Sequence, residues 1–263
     1  MNNNDNKTEQ ELYLERCRKE NFIIKTSRIA VLFLFLVIWE LAATFSLIDP
    51  FFFSSPLRIC LLFIDMCKNF EIFIHTGITL YETILSFFIV NALSILVSVF
   101  MLSFERFSKI VEPYLVILNS LPKSALAPLI IVWLGTGSRT IIVAGISVAL
   151  FGSIINLYTG FMQVDEEQRK LITTLGGSKK DQLTKVILPA SIPIILSNMK
   201  VNIGLSLVGV IIGEFLAARQ GLGYLIIYGS QVFQLDLLIM SIVILCIIAW
   251  GLYQSIDWLE KRV

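Results

Sequence analysis

Six long stretches of this chain run for about twenty residues or more with almost no charge, at 29–48, 77–103, 110–134, 138–162, 192–216 and 232–259. Each is near the roughly 20 residues a helix needs to cross about 30 Å of hydrocarbon. A soluble core of this size has no room for so much apolar surface. Charged residues make up 16% of the chain and hydrophobic ones 56%, where a soluble domain carries about 25% charge. The mean hydropathy is +0.79. An all-α, polytopic membrane protein with six transmembrane helices follows. The first run is too long for a secretory leader and lacks a small-residue cleavage site, so it reads as a retained span. A short amphipathic helix is expected at 56–70, between the first two spans.

Charge sum says little, because 21 basic and 20 acidic residues nearly cancel. Charge position says more. With the N-terminus inside, the inner segments hold fifteen basic residues, the outer ones hold four, and Lys123 and Lys200 fall within spans. The reverse topology inverts that ratio, so both termini are expected on the cytoplasmic side. The expected organisation is a polar cytoplasmic tail at 1–28, a spanning domain at 29–259 and a cytoplasmic end at 260–263.

Catalytic and metal chemistry have little to work with. Cys17, Cys60, Cys67 and Cys246 show no CxxC spacing, and His75 is the only histidine. Cys60 and Cys67, seven apart on one helix, sit about 10 Å apart, beyond disulfide reach. No catalytic residue and no metal ligand set is expected. Gly176-Gly177-Ser178-Lys179-Lys180 lacks the spacing and final hydroxyl of a phosphate loop, so no ATP is hydrolysed here.

The segment 163–189 stands apart among the inner connections. It is polar and long enough for two short helices, where a plain connector needs only a few residues. Leu171, Ile172 and Leu175 form a narrow apolar stripe. Gly176-Gly177 stops the first helix, since glycine takes the left-handed conformation at a helix end. A second piece carries Leu183, Val186 and Ile187 before Pro189 re-aims the chain. The elbow reads as a docking surface, and the competing reading is a helix lying on the bilayer.

Here the sequence resembles a known family. Gly176, followed by Val186-Ile187-Leu188-Pro189, is similar to the cytoplasmic loop of binding-protein-dependent transport permeases. That loop opens on Glu-Ala-Ala, where this chain has Lys170, Leu171 and Ile172. Trp39-Glu40-Leu41, Pro122 with Ala125-Leu126-Ala127-Pro128-Leu129, Trp133-Leu134-Gly135, and Gly221-Leu222-Gly223-Tyr224-Leu225-Ile226 resemble the nitrate, sulfonate, taurine and bicarbonate branch. The resemblance implies a MetI-like fold and the permease subunit of an ATP-binding-cassette importer in a bacterial inner membrane. It implies a second permease subunit, two cytoplasmic ATPases that bind ATP and magnesium, and an extracytoplasmic binding protein. It also implies that Lys170, Leu171, Ile172, Thr173, Leu175, Gly176, Gly177 and Pro189 couple to the ATPase. The solute is expected to be a small anion or sulfonate, with vitamin precursors as the alternative.

The intramembrane charges singled out are Glu40, Lys123, Lys200 and Glu214. Lys200 and Glu214 are fourteen apart, about 21 Å along a helix, and cannot pair with each other. Lys200 either pairs with another helix or lies on the path and attracts an anion. Glu40 is expected to pair with a neighbouring helix. Asn119, Ser120, Pro122 and Lys123 mark a broken third span whose freed backbone groups must line a cavity or be satisfied by protein. Asn202 and Ser206 share a face of the fifth span, so the two patches face each other across a path or serve as helix glue. Gly204, Gly209 and Gly213 are expected to let helices approach. A secondary transporter, the competing class, calls for repeated halves with ionisable groups at mid-membrane, and no repeat is visible.

Overall fold

A computed structural model describes residues 9–262, and every regular element among them is helical. Lys7 and the rest of the first eight residues, and Val263 at the other end, lie outside the described residues. The chain divides into two compact units, 1–62 and 63–263.

The first unit holds α1 (Glu9–Thr44), a helix with no glycine or proline in 36 residues. It starts well before the apolar run, so residues 9–28 of the polar tail are helical. After Thr44 the chain turns at Ser46, whose φ is +55°. Asp49 then caps the one-turn helix α2 (Pro50–Phe53), its carboxylate accepting from the Phe51 N–H at 2.9 Å. Helix α3 (Pro56–Lys68) follows. Its early Leu57 N–H donates to the Glu40 carboxylate at 2.9 Å. The intramembrane Glu40 therefore caps a helix start, where a negative charge suits the exposed N–H groups.

The second unit is built on α4 (Glu71–Ser103), α7 (Ser138–Met162) and α11 (Ile192–Ala217), which pack together as its core. Between α4 and α7 lie α5 (Glu105–Ser120) and α6 (Lys123–Leu134), bent by 97° at the short break between them. The cause is local. Pro122 forbids the helical region to the residue before it, and Leu121 sits extended at φ −64°, ψ 141°. Five helices (α1, α4, α7, α11 and the last) are long and apolar enough to cross a membrane among the described residues, and the bent pair makes a sixth crossing if it is one span. The elbow between α7 and α11 comprises α8 (Glu166–Thr174), α9 (Lys179–Gln182), a wide π-type turn at Leu183–Ile187, and α10 (Leu188–Ala190). After α11 come α12 (Leu222–Gln231) and α13 (Leu235–Glu260). The expected last span at 232–259 therefore starts a few residues late, and a separate short helix precedes it. Phe233, at φ +56°, makes the turn between them.

Small residues set the core spacing. A Cβ on Gly209 would lie 2.8 Å from the Gly145 Cα and 2.9 Å from the Ala144 carbonyl oxygen. One on Gly213 would lie 3.0 Å from the Ile141 Cα. The α7 and α11 backbones thus touch along a small-xxx-small seam. Gly204 meets nothing within 4 Å, so it has no part in that seam. Ser86 and Ser98 of α4 donate to the α7 carbonyls of Ile142 (3.2 Å) and Ile154 (3.0 Å), adding polar ties between the same helices.

Candidate functional site

The elbow is fixed on one side and open on the other. Asp165 starts α8 by accepting from the Glu167 N–H at 2.9 Å. Gly176, at φ +81°, closes it, and the Gly177 N–H returns to the Ile172 carbonyl at 2.8 Å. Gly177 is also a close-approach position, because a Cβ there would lie 2.5 Å from the Ile172 Cγ2. Ser178 and Asp181 form a reciprocal capping box, and Lys185 holds the Asp181 carboxylate at 2.8 Å. These contacts push the Asp181 carboxyl well below the usual carboxylate range, the lysine ammonium contributing most. Gln182 donates to the Thr173 hydroxyl at 2.6 Å and ties the two helices together.

The second half of the elbow is anchored in the body of the chain. Ile187 packs with Leu157, Phe161 and Val164, and Leu183, Val186 and Leu188 close over that cluster beside Leu102 and Ile194. Pro189 has no N–H to give, and the wide turn just before it changes the helical register as the chain enters α11. The other side carries Leu171, 58% exposed, and Leu175, 75% exposed, with Ile172 half-buried beneath them. Lys170 is exposed and bonds Glu166 at 3.1 Å, and Thr173 is the acceptor for Gln182. Two large apolar side chains thus stand exposed on an anchored mount.

The polar residues expected on a path part company. Asn202 and Ser206 are buried in the core at 1% and 0% exposure. The Asn202 amide donates to Asn91 Oδ1 and to Ser153 Oγ, both at 2.9 Å, and Asn198 donates to the same Ser153 at 2.7 Å. This network joins α4, α7 and α11 from within. Asn119 lies elsewhere, with its Oδ1 3.1 Å from the point a Gly152 Cβ would occupy. Neighbouring residues of α7 point about 100° apart, so Gly152 and Ser153 present different faces. The two patches therefore lie on different sides of α7 and do not face each other.

The bend itself is open. Ser120 and Pro122 are exposed, and Lys123 is half-buried, donating to Asn119 Oδ1 at 3.2 Å. Gly152 lies about 21 Å along α7 from Ser138, so the bend sits near the middle of that span. A broken helix at such a depth has free backbone groups to offer a cavity. No carboxylate pairs with Lys123 among the described residues. Lys200 is the opposite case. Its ammonium lies 2.6 Å from Asp257 and also bonds Glu260, both on α13. Of the two readings open for Lys200, the geometry is that of pairing with another helix, and two carboxylates cancel its charge.

Sequence reasoning missed a buried cluster at the far end of α11. The first three N–H groups around the start of α12 each find a side chain. Gly221 donates to His75 Nδ1 (2.9 Å), Leu222 to Thr79 Oγ1 (2.9 Å) and Gly223 to Glu214 Oε2 (2.6 Å). Thr79 in turn donates to Glu214 Oε1 at 2.7 Å. Gly221 must be glycine here. Its φ is +119°, and a Cβ would strike the Glu214 carboxylate. Glu82 is wholly buried beside Glu214, with neither oxygen in a well-formed hydrogen bond. It belongs with the intramembrane charges and was overlooked. The signal was present: Thr79, Glu82, Thr83 and Ser86 recur at helical spacing on one face.

Comparison with known proteins identifies the family of this chain. The family model described as "Binding-protein-dependent transport system inner membrane component" matches residues 90–263. A Haemophilus influenzae protein named "Probable ABC transporter permease protein" is 32% identical over 229 residues, covering 86% of this chain and 92% of its own. The formylaminopyrimidine transport permease ThiX of Halalkalibacterium halodurans is 29% identical, over 72% of this chain and 75% of its own. The taurine transport permease TauC of Escherichia coli is 26% identical, over 90% and 88%. Among solved structures, a bacterial ABC transporter importing the acidic polysaccharide alginate superposes with a TM-score of 0.68 at 13% identity, covering 95% of this chain and 99% of that one. The MetNI methionine transporter gives 0.62 at 18% identity, covering 71% and 93%. This chain belongs to the binding-protein-dependent transport permeases, the multi-pass membrane subunits of ATP-binding-cassette importers, which work with ATPases and binding proteins and are not themselves enzymes.

Proposed function

We propose that the chain imports a small anionic solute of the sulfonate type, delivered by an extracytoplasmic binding protein, with two permease subunits and two cytoplasmic ATPases per transporter. Both termini and the elbow face the cytoplasm. The observation that carries this reading is the exposed Leu171–Leu175 pair on an elbow otherwise locked into the inner ends of α4, α7 and α11. Burying two leucines against a partner is worth about 3–6 kcal/mol. ATP and magnesium stay on the ATPases; motion reaches this chain through Lys170, Leu171, Ile172, Thr173, Leu175, Gly176, Gly177 and Pro189.

The solute passes the bend between α5 and α6. Asn119, Ser120 and Pro122 contribute polar groups there, and Lys123 contributes a positive charge with only a neutral partner. That charge supports an anion over an uncharged vitamin precursor, and the taurine permease among the relatives accords with it. Lys200 and Asn202 hold helices together instead, and Ser206 is buried in the same core. Selection among solutes rests largely with the binding protein.

The test is uptake into proteoliposomes carrying the full transporter. Leu171→Ser with Leu175→Ser abolishes both ATPase association and uptake. Lys123→Gln leaves ATPase association intact and lowers sulfonate uptake about ten-fold, the order expected for losing one ionic contact. Uptake at the wild-type rate in the Lys123 variant would refute the anionic path, and a cysteine at 175 labelled only from outside would refute the topology.

A further inference from the structure

A cavity of about 370 Å³ lies between the inner end of α4 and the elbow. Three cations reach it: Arg169 from α8, and Lys179 and Lys180 from α9. The other elbow lysines are already engaged, Lys170 with Glu166 and Lys185 with Asp181. The three around the cavity have no carboxylate within ion-pair distance among the described residues. The Arg169 Nε is buried and donates to nothing. A buried guanidinium N–H without an acceptor is costly to leave so. Among the nearby acids, Glu105 already holds Lys109 at 2.7 Å and lies within electrostatic reach of Lys179, while Glu166 and Asp181 hold Lys170 and Lys185.

The opposite wall is apolar. Leu102 at the end of α4, with Leu183 and Ile187 of the elbow, forms it. Leu102 and Ser103 end a 33-residue apolar helix, about 50 Å long and so long enough to run past the hydrocarbon into the headgroup layer, where the cavity opens. One wall asks for an acyl chain or glycerol, and the other asks for an anion with several acceptor oxygens. A phosphodiester joined to lipid offers both. Free phosphate satisfies only the cations and leaves the apolar wall wet.

We propose that this cavity binds the phosphate of an anionic phospholipid headgroup, held by Arg169, Lys179 and Lys180 at the base of the ATPase-docking elbow. The proposal rests on the reading that the elbow faces the cytoplasm, where such lipids give the leaflet its negative surface. A bound headgroup joins α8 to α9 and α4, stiffening the mount of Leu171 and Leu175.

The test uses the purified full-length chain in nanodiscs of phosphatidylcholine with a graded fraction of phosphatidylglycerol, read by native mass spectrometry of retained lipid. The expected result is one tightly held phosphatidylglycerol, with affinity falling about five-fold for each cation removed in Lys179→Gln, Lys180→Gln and Arg169→Gln. Arg106→Gln removes an equal charge outside the cavity and changes affinity less than two-fold. Arg169→Lys keeps the charge and controls for folding, together with the elution profile of each variant. An equal loss in the Arg106 variant would reduce the effect to diffuse surface attraction and overturn the site. Retention of inorganic phosphate in pure phosphatidylcholine discs, with no preference for phosphatidylglycerol, would overturn the lipid in favour of a free anion. If the variants lose ATPase binding in pure phosphatidylcholine discs and phosphatidylglycerol has no effect, the cations serve the ATPase and the proposal fails. The lipid readout uses neither ATPase nor solute, so it can fail while the importer reading stands, and the reverse.

Discussion

Two glycines on one helix should respond to the same substitution with opposite signs. Gly204 and Gly209 both lie within α11, where alanine is the better helix former by about 1 kcal/mol. At Gly204 a Cβ meets nothing within 4 Å, so Gly204→Ala keeps that gain. At Gly209 the new carbon would sit 2.8 Å from the Gly145 Cα, 2.9 Å from the Ala144 carbonyl oxygen and 2.9 Å from the Val148 Cγ2. Two of those three are backbone atoms, which cannot rotate away. Ordinary contact begins near 3.5 Å, so α7 and α11 must separate by more than half an ångström. Overpacking of that kind costs about 1–3 kcal/mol, and more than one helix contact is disturbed. Net of the helical gain, Gly209→Ala should lose up to about 2 kcal/mol where Gly204→Ala gains up to about 1. Thermal unfolding in one detergent, followed by elution profile after heating, should place the two melting points on either side of the parent. A Gly209→Ala melting point at or above that of Gly204→Ala would mean the two backbones do not touch there.

Three other outcomes follow from particular contacts. Lys200→Met removes the cation shared by Asp257 and Glu260 and leaves Asp257 only the exposed Lys261, so the melting point should fall, and adding Asp257→Asn should recover part of the loss; no recovery would mean that the ion pair is not what α13 lacks. Gly221→Ala combines a strained φ with a collision against Glu214, which must leave the Thr79 hydroxyl or the Gly223 N–H, so a loss of about 3 kcal/mol or more is expected in the same melt, and a loss under 1 would refute the cradle. Asp181 has its pKa depressed by Lys185 and Ser178, so its contribution is complete above the ordinary carboxylate range and disappears only as pH falls through the depressed value. Hydrogen exchange across the elbow should therefore be as slow at pH 5, after correction for intrinsic rate, as at pH 7, while Asp181→Ala should speed it at both.

Hydropathy alone made the spans legible, because a bilayer imposes length and apolarity on each crossing. The elbow was legible from Gly176-Gly177 and the apolar residues on either side, and the bend from Pro122, since both depend on local backbone rules. What stayed hidden depends on which side of a helix looks inward. In water the buried face of a helix is the apolar one; α4 is turned the other way. Its Thr79, Glu82, Thr83, Ser86, Asn91, Ser94 and Ser98 are all buried, while Tyr81, Phe88 and Leu96 are exposed. Lipid accepts the apolar side, so polar side chains collect between helices and serve as ties. For Asn202 and Ser206 the path reading, weighed against helix glue, has the same source as the omission of Glu82. A soluble-protein habit assigns polar residues to open space, and here they belong to the core. Lys200 needed Asp257, 57 residues away, and no local rule brings those together.

The placement of these ties bears on how a push at the elbow can travel. Helix α11 runs without a break for 26 residues, about 39 Å. Its first turn continues directly from the anchored half of the elbow, where Ile187 and Leu188 share a cluster with Leu157 and Phe161. Its far end carries Glu214, which holds the start of α12 through Gly223 and the α4 residue Thr79. Between them, Gly209 and Gly213 clamp the helix against α7, and Asn202 fixes it to α4 and α7 together. Every one of those contacts is short-range and buried, so α4, α7 and α11 form one body in which sliding a single helix would break several hydrogen bonds at once. The α5–α6 pair is joined to that body differently, through a bend whose backbone ladder Pro122 has already interrupted. Displacement of the elbow is therefore expected to carry the three-helix body as a unit and to change its relation to the bend, because that is where the least hydrogen bonding must be remade.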